Sequence, residues 1–342
     1  MGEQLQGNFH TIVIGAGPGG LACATALARN GKEVLLLERQ REVGHKVCAG
    51  GITLSGLSGR LPAELIEKSF QQQHIFSPTQ RIVLRAPDPI VSTVDRRKLG
   101  QWMLAQAQAA GVVVMTSTRA LRVEKGYVET SAGRFSFRYL VGADGSSSLV
   151  RRSLGLASEQ VGTGLHCLVP GNFDRMEWHL DYDLFRNGYA WIFPRRGAAS
   201  VGAYASRQGV QPRELLRCLQ EWGKRQGIEL REARLQAALI NFDYRGWRFG
   251  NVFLVGDAAG LASGLTGEGI YPAVLSGETT AATILDSRYR SQRLERLIDK
   301  HLRHRRVLHF LRGRLACRLS METFIFALRT GVVKFRALEM GD

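Results

Sequence analysis

HTIVIGAGPGGLACATALARNGKEVLLLE, residues 10–38, decides the fold. An apolar run (HTIVI) meets a glycine-rich turn, then an alanine- and leucine-rich stretch (LACATALARNG), then a second apolar run (EVLLLE), which reads as strand, turn, helix, strand. Gly15, Gly17 and Gly20 form G-x-G-x-x-G where the strand gives way to the helix, and Glu38 ends the second strand. Gly15 permits a tight turn, Gly17 lets a pyrophosphate approach the backbone at the positive helix N-terminus, and Gly20 lets the helix pack closely on the strand. Glu38 is placed to accept hydrogen bonds from ribose hydroxyls, and Arg39 beside it is assigned to the same cofactor site. The motif implies a dinucleotide without separating NAD from FAD.

Outward from this unit, RIVLR (81–85) and PIVSTV (89–94) are short β-rich pieces broken by Pro78, Pro87 and Pro89, after which Asp95 can cap a helix reaching about Ala110. Between Val112 and Val141, strand-like runs alternate with turn signals, as in a β-meander. Residues 162–242 mix strands with one helix over roughly 213–226. NVFLVGDAAG and then GEGIYPAVLSGETTAATIL predict a buried strand, a glycine-rich turn and a long helix. Beyond Arg290, Leu294, Leu297, Ile298, Leu302, Leu308, Leu311, Leu315 and Leu319 recur near helical spacing with arginines between them, the pattern of amphipathic helices. The expected organisation is α/β: a discontinuous Rossmann-type nucleotide-binding domain from 8–70, 95–160 and 245–290, a smaller β-sheet substrate domain from 71–94 and 161–244, and a basic helical C-terminal region, 291–342.

The chain has 342 residues, enough for two domains, and its 44% hydrophobic and 22% charged residues with a mean hydropathy of −0.11 describe a globular protein. No apolar run reaches membrane-spanning length, and MGEQLQGNFH has neither the charged nor the apolar region of a signal peptide, so the expected location is the cytoplasm. Five cysteines without C-x-x-C spacing argue against a disulfide framework or a zinc site. Half of the net charge of +16 falls between Asp286 and Asp342, where fourteen Lys and Arg face six Asp and Glu. That concentration suggests a basic element facing an anionic partner, such as the inner face of a membrane. A nucleic acid is a poorer fit, because aromatics are not interleaved with the arginines as a stacking surface requires. His301, His304 and His309 lie among arginines that repel a cation, so no metal is expected.

Three segments together are similar to the fingerprints of the flavoprotein group that includes para-hydroxybenzoate hydroxylase and the geranylgeranyl reductases: GAGPGG with Glu38, VGADGSSSLVR (141–151), and NVFLVGDAAGLASGLTGEGI (251–270). The resemblance implies FAD. It places Asp144 and Gly145 at a turn near the pyrophosphate, Asp257 on the ribityl chain, and Arg96 near the flavin. Gly267, Glu268, Gly269 and Ile270 open a helix whose backbone N–H groups would face the flavin's N1 and C2 carbonyl and favour negative charge on the reduced ring.

KVCAGGI (46–52) and GYAWIFPRRGAASVGAY (188–204) resemble the geranylgeranyl reductase branch in particular. Cys48, in the first, is the candidate catalytic residue, beside the flavin's reactive face. A free thiol, with a pKa of about 8.5, is a weak acid and would need help to protonate an isolated alkene. Tyr189, Trp191 and Phe193 alternate along a strand and so face one side; with Pro194 they form the expected wall of a pocket for a prenyl chain or an aromatic ring. A glycine, Gly264, stands where that branch commonly has a proline before GEG, and the chain is short for the branch.

The expected function is reduction of carbon–carbon double bonds in an isoprenoid or other lipophilic substrate by hydride from reduced flavin, with NAD(P)H or reduced ferredoxin as external donor. A monooxygenase acting on an aromatic or polyketide-like substrate is the alternative; it shares the flavin fingerprints but requires neither KVCAGGI nor YAWIFP. A flavin halogenase is disfavoured by the lack of a W-x-W-x-I-P signature. A third reading makes the flavin structural and the basic tail a nucleic-acid or membrane binder.

Overall fold

The computed structural model describes residues 5–46, 48–53, 57–230, 233–311 and 313–341, apart from the Ser58 side chain. An eight-stranded sheet carries the nucleotide-binding half. Its parallel centre runs, in spatial order, Val252–Leu254, Gly133–Gly142, Leu5–Ile14, Val34–Leu37 and Val113–Met115. The meander strands Ala120–Glu124 and Tyr127–Thr130 attach antiparallel to Gly133–Gly142. Strands covered on both faces read as continuous apolar runs, and Val34–Leu37 is buried at every position. The helix Pro18–Arg29 starts with proline at its first turn, where the missing N–H costs nothing, and packs on the helix Ile270–Leu285. A Cβ on Gly277 would stand 2.2 Å from the Gly19 carbonyl, so the contact of these helices depends on glycine.

The second sheet has seven strands in the order Gln236–Asn241, Val161–Pro170, Ala198–Ser206, Tyr189–Arg195, Met176–His179, Gln72–Phe76 and Arg81–Arg85. All neighbours are antiparallel except Met176–His179 with Gln72–Phe76. The helix Pro212–Arg225 covers one face through Leu215, Leu219 and Trp222. A three-stranded sheet joins Gly51–Thr53, Val91–Val94 and Ile66–Phe70. The segment 71–94 therefore divides between two sheets: RIVLR enters the large one, whereas VSTV pairs with strands from residues 51–70.

Asp95 caps the helix Arg96–Ala109, accepting from the amides of Arg97 (2.8 Å) and Lys98 (2.9 Å). The C-terminal region forms two helices, Gln292–Phe310 and Arg314–Arg329. The leucines named in the sequence divide between buried and exposed positions. Leu294, Leu297, Leu308 and Leu311 are buried, but Leu315 and Leu319 are 75% and 66% exposed. Gly313 caps a new helix, which resets the phase and turns Cys317, Met321, Ile325 and Leu328 inward instead.

Candidate active site

A cleft runs between the two large sheets, enclosing about 1610 Å³ of space, part of it open to solvent. The glycine loop forms one end. Gly15 has φ +106°, a conformation L-residues avoid, and a Cβ there would lie 2.4 Å from the Ala143 carbonyl. A Cβ on Gly20 would lie 2.1 Å from the Gly15 carbonyl, whereas one on Gly17 meets nothing nearer than 3.8 Å. Gly15 and Gly20 are therefore required by the chain itself, and Gly17 keeps open a space facing the cleft.

Glu38 is half-buried and holds this loop: its carboxylate accepts from the amides of Ala16 (2.9 Å) and Gln40 (2.8 Å). Asp144 likewise serves the backbone, accepting from the Ser148 hydroxyl (2.5 Å) and the Leu149 amide (2.5 Å) at the start of the helix Leu149–Ser153. Burial pushes the Asp144 carboxyl up, opposed by these donors. Glu38, Arg39, Asp144 and Pro194 are not among the residues facing the cleft; Gly145, with open space where a Cβ would stand, is.

The cleft does gather Gly17, Gly20, Cys48, Arg96, Gly145, Asp257, Gly267, Gly269 and Ile270 with the aromatic wall. Asp257 follows the strand Val252–Leu254 and receives Lys46 Nζ (2.7 Å) and Ser146 Oγ (2.9 Å) on Oδ2. Arg96 opens its helix, is 8% exposed, and keeps Nη1 without a hydrogen-bond partner among the described residues. Burial lowers its pKa, while the Cys48 thiol and the Asp257 carboxylate favour its charge. A guanidinium buried beside an acceptor-poor cavity calls for an acceptor from a ligand. Cys48 is half-buried, with Sγ accepting from the Gly50 amide at 3.4 Å.

Tyr189, Trp191 and Phe193 are buried, with successive ring centroids 5.9 Å apart. Tyr189 donates to the Thr266 carbonyl, and Tyr204 to the Gly264 carbonyl (2.8 Å), tying the seven-stranded sheet to the turn before Ile270–Leu285. Trp191 Nε1 donates to Ser200 Oγ (3.1 Å), so the indole is satisfied and its ring stays fixed.

Sequence reasoning missed a further part of the lining, made by Phe335, Leu338 and Glu339. Phe335 packs against Trp178 at 5.5 Å. Lys300 Nζ donates to the carbonyls of Arg336 (2.9 Å) and Gly341 (3.3 Å), His304 Nε2 meets the Ala337 carbonyl (3.3 Å), and the Met340 amide donates to Glu268 (2.9 Å). The Glu268 carboxyl was also missed, although it lies inside the GEGI motif. Both depend on contacts between segments far apart in sequence.

Residues 8–169 match the model of the FAD binding domain. A digeranylgeranylglycerophospholipid reductase from Methanopyrus kandleri is 28% identical over 332 residues, covering 85% of this chain and 82% of that protein. A geranylgeranyl bacteriochlorophyll reductase-like structure from Thermoplasma acidophilum superimposes with a TM-score of 0.78 at 24% identity, covering 90% of this chain and 88% of the other. The chain carries an FAD binding domain and is similar to the geranylgeranyl reductase-like FAD-dependent oxidoreductases. The same fold extends to a probable FAD-dependent monooxygenase from Pseudomonas aeruginosa, with a TM-score of 0.66, 19% identity, and coverage of 92% and 100%.

The residues of this flavoprotein fit the cofactor. The open faces of Gly17 and Gly145 suit a pyrophosphate, two helix N-termini border the cleft, and Arg96 Nη1 awaits an acceptor. Asp257, held by Lys46 and Ser146, presents Oδ1 toward Gly269, 3.3 Å from where a Cβ would stand. Bound FAD supplies hydride chemistry; the chain orients it and excludes water.

Proposed function

We propose that this flavoprotein reduces carbon–carbon double bonds of an isoprenoid or other lipophilic substrate, taking electrons from NAD(P)H or reduced ferredoxin. The observation that carries the reading is the aromatic wall of Tyr189, Trp191 and Phe193, which lines the cofactor cleft together with Phe335 and Leu338. An apolar slot beside a flavin holds a hydrocarbon chain and keeps water from the reacting carbons. Cys48, in the same cleft, is the candidate catalytic residue at that junction.

No described helix is long and apolar enough to cross a membrane. Phe310, Leu315, Leu319 and Phe326 are exposed, among Arg306, Arg314, Arg318 and Arg329. This combination supports peripheral docking on an anionic membrane, from which a lipid substrate could be drawn.

The test is anaerobic. The bound flavin is reduced, geranylgeranyl diphosphate or a prenylated glycerolipid is added, and flavin reoxidation is followed with product mass. Reoxidation with a gain of about two mass units per reduced bond supports the reading, being one hydride plus one proton. Flavin that stays reduced until air is admitted, followed by oxygen insertion into an aromatic substrate, replaces it with the monooxygenase reading.

A further inference from the structure

Resting on the alkene-reductase reading, we propose that Glu268 is the general acid of this site, delivering to one alkene carbon the proton that accompanies hydride transfer to the other. Glu268 faces the cleft in the turn between Tyr189's acceptor, Thr266, and the first helical residue, Ile270, so it shares the cavity with Cys48, Arg96 and the aromatic wall. The groups around it come from four directions. Thr53 lies beside it on the small sheet, Tyr189 on the seven-stranded sheet, Lys300 on the helix Gln292–Phe310, and Glu339 with the Met340 amide on the C-terminal wall. Its surroundings favour the protonated form. Desolvation pushes its pKa up to about 7, with the neighbouring Glu339 adding to the rise and the Met340 amide, Lys300 and Thr53 opposing it. A carboxyl that keeps its proton near neutrality in a cavity facing substrate has the property a general acid needs.

The balance is complete. The hydride brings two electrons from reduced flavin to one carbon, the Glu268 O–H bond breaks as its proton forms the second C–H bond, and the carboxylate left behind regains a proton from water. The carboxyl itself is neither oxidised nor reduced.

The test uses the FAD-loaded full chain and Glu268→Gln, whose side-chain carbonyl can still accept from Met340 but which has no acidic proton. Expected are unchanged FAD content and reduction by dithionite, and alkene-dependent reoxidation at least about 100-fold slower, the low end of general acid–base contributions. Wild-type reoxidation slows as pH rises through about 7, while the residual Glu268→Gln rate is flat. Glu268→Asp restores part of the rate, which a purely structural tether would not distinguish from Gln. As a readout independent of turnover, infrared difference spectra between pH 6 and pH 8 show a protonated-carboxyl band in the wild type that is absent from Glu268→Gln. Gln reoxidising within about threefold of wild type, or a wild type without the band, overturns the assignment while leaving the reductase reading intact. A wild type that reoxidises with no alkene overturns both.

Discussion

Replacing Gly17 and Gly20 separately by alanine distinguishes a glycine kept for the ligand from one kept for the fold. At Gly20 the new methyl would sit 2.1 Å from the Gly15 carbonyl, 2.9 Å from Ala143 Cβ and 3.2 Å from Val13 Cγ1. The nearest atom is backbone, in the turn directly after the strand Leu5–Ile14, so no rotamer change relieves the clash. Overpacking a core costs about 1–3 kcal/mol, and a backbone clash belongs at the top of that range. At roughly 2 °C per kcal/mol for a chain of this size, apoprotein melting falls by roughly 6 °C. Gly17 has φ −73° and ψ 172°, which alanine adopts freely, and its methyl meets nothing within 3.7 Å. There the apoprotein keeps its melting temperature or gains slightly, since alanine restricts the unfolded chain by about 0.4–1 kcal/mol. The methyl instead occupies the approach of the pyrophosphate. A loss of about 1.4–3 kcal/mol weakens FAD about 10- to 100-fold. Calorimetry of the apoproteins and flavin-fluorescence titration read the two effects apart. Gly17→Ala binding FAD within twofold of wild type, or Gly20→Ala melting unchanged, refutes the reasoning.

Four further outcomes follow from the same structure. Arg96→Met removes a buried guanidinium whose Nη1 has no partner among the described residues, so the apoprotein melts no lower while FAD binds more than about tenfold more weakly, by calorimetry and titration. His166, His301 and His304 are each held down to about 4 by burial. Above about pH 6.5 both states leave them neutral and stability is full; as pH falls toward 4 the unfolded chain takes up protons first, costing up to roughly 3 kcal/mol per histidine. Melting temperature should therefore drop steadily across that window, and less steeply in His304→Gln. Iodoacetamide should label the half-buried Cys48 and Cys218 of the apoprotein, with saturating FAD sparing Cys48, while buried Cys23, whose thiol is pushed up to about 12, stays unlabelled by peptide mass. Leu315→Glu with Leu319→Glu should leave melting unchanged, because both side chains are exposed, and weaken sedimentation with anionic vesicles severalfold.

Much of this was legible in the chain. The glycine loop, the strand before Asp257 and the alternation of Tyr189, Trp191 and Phe193 follow local rules of turn chemistry and periodicity, and each stands in the cleft. For two carboxylates residue type does not show the work they do for the backbone: Glu38 and Asp144 also hold the amides of the turns that carry them. The reset at Gly313 was hidden because leucines on both sides continue a plausible heptad-like spacing; only the cap reveals the change of phase. The GEGI motif marks the backbone at Glu268 but not the surroundings of its carboxyl, and the segment from Phe335 to Glu339 left no local pattern. The contact that joins them spans 72 positions and uses a main-chain amide, which any residue supplies.

That last property has an evolutionary consequence. Residues 336, 337, 340 and 341 are all secured through peptide carbonyls or an amide, to Lys300, His304 and Glu268. These main-chain bonds do not depend on which side chains stand at positions 335 and 338. Phe335 and Leu338 can be exchanged for bulkier or smaller groups while the strip stays pinned, so cavity length can be retuned by point substitution without disturbing either sheet. The flavin end, where Gly15 and Gly20 each meet backbone within 2.5 Å, has no such latitude; selection on substrate range would fall on the C-terminal strip first.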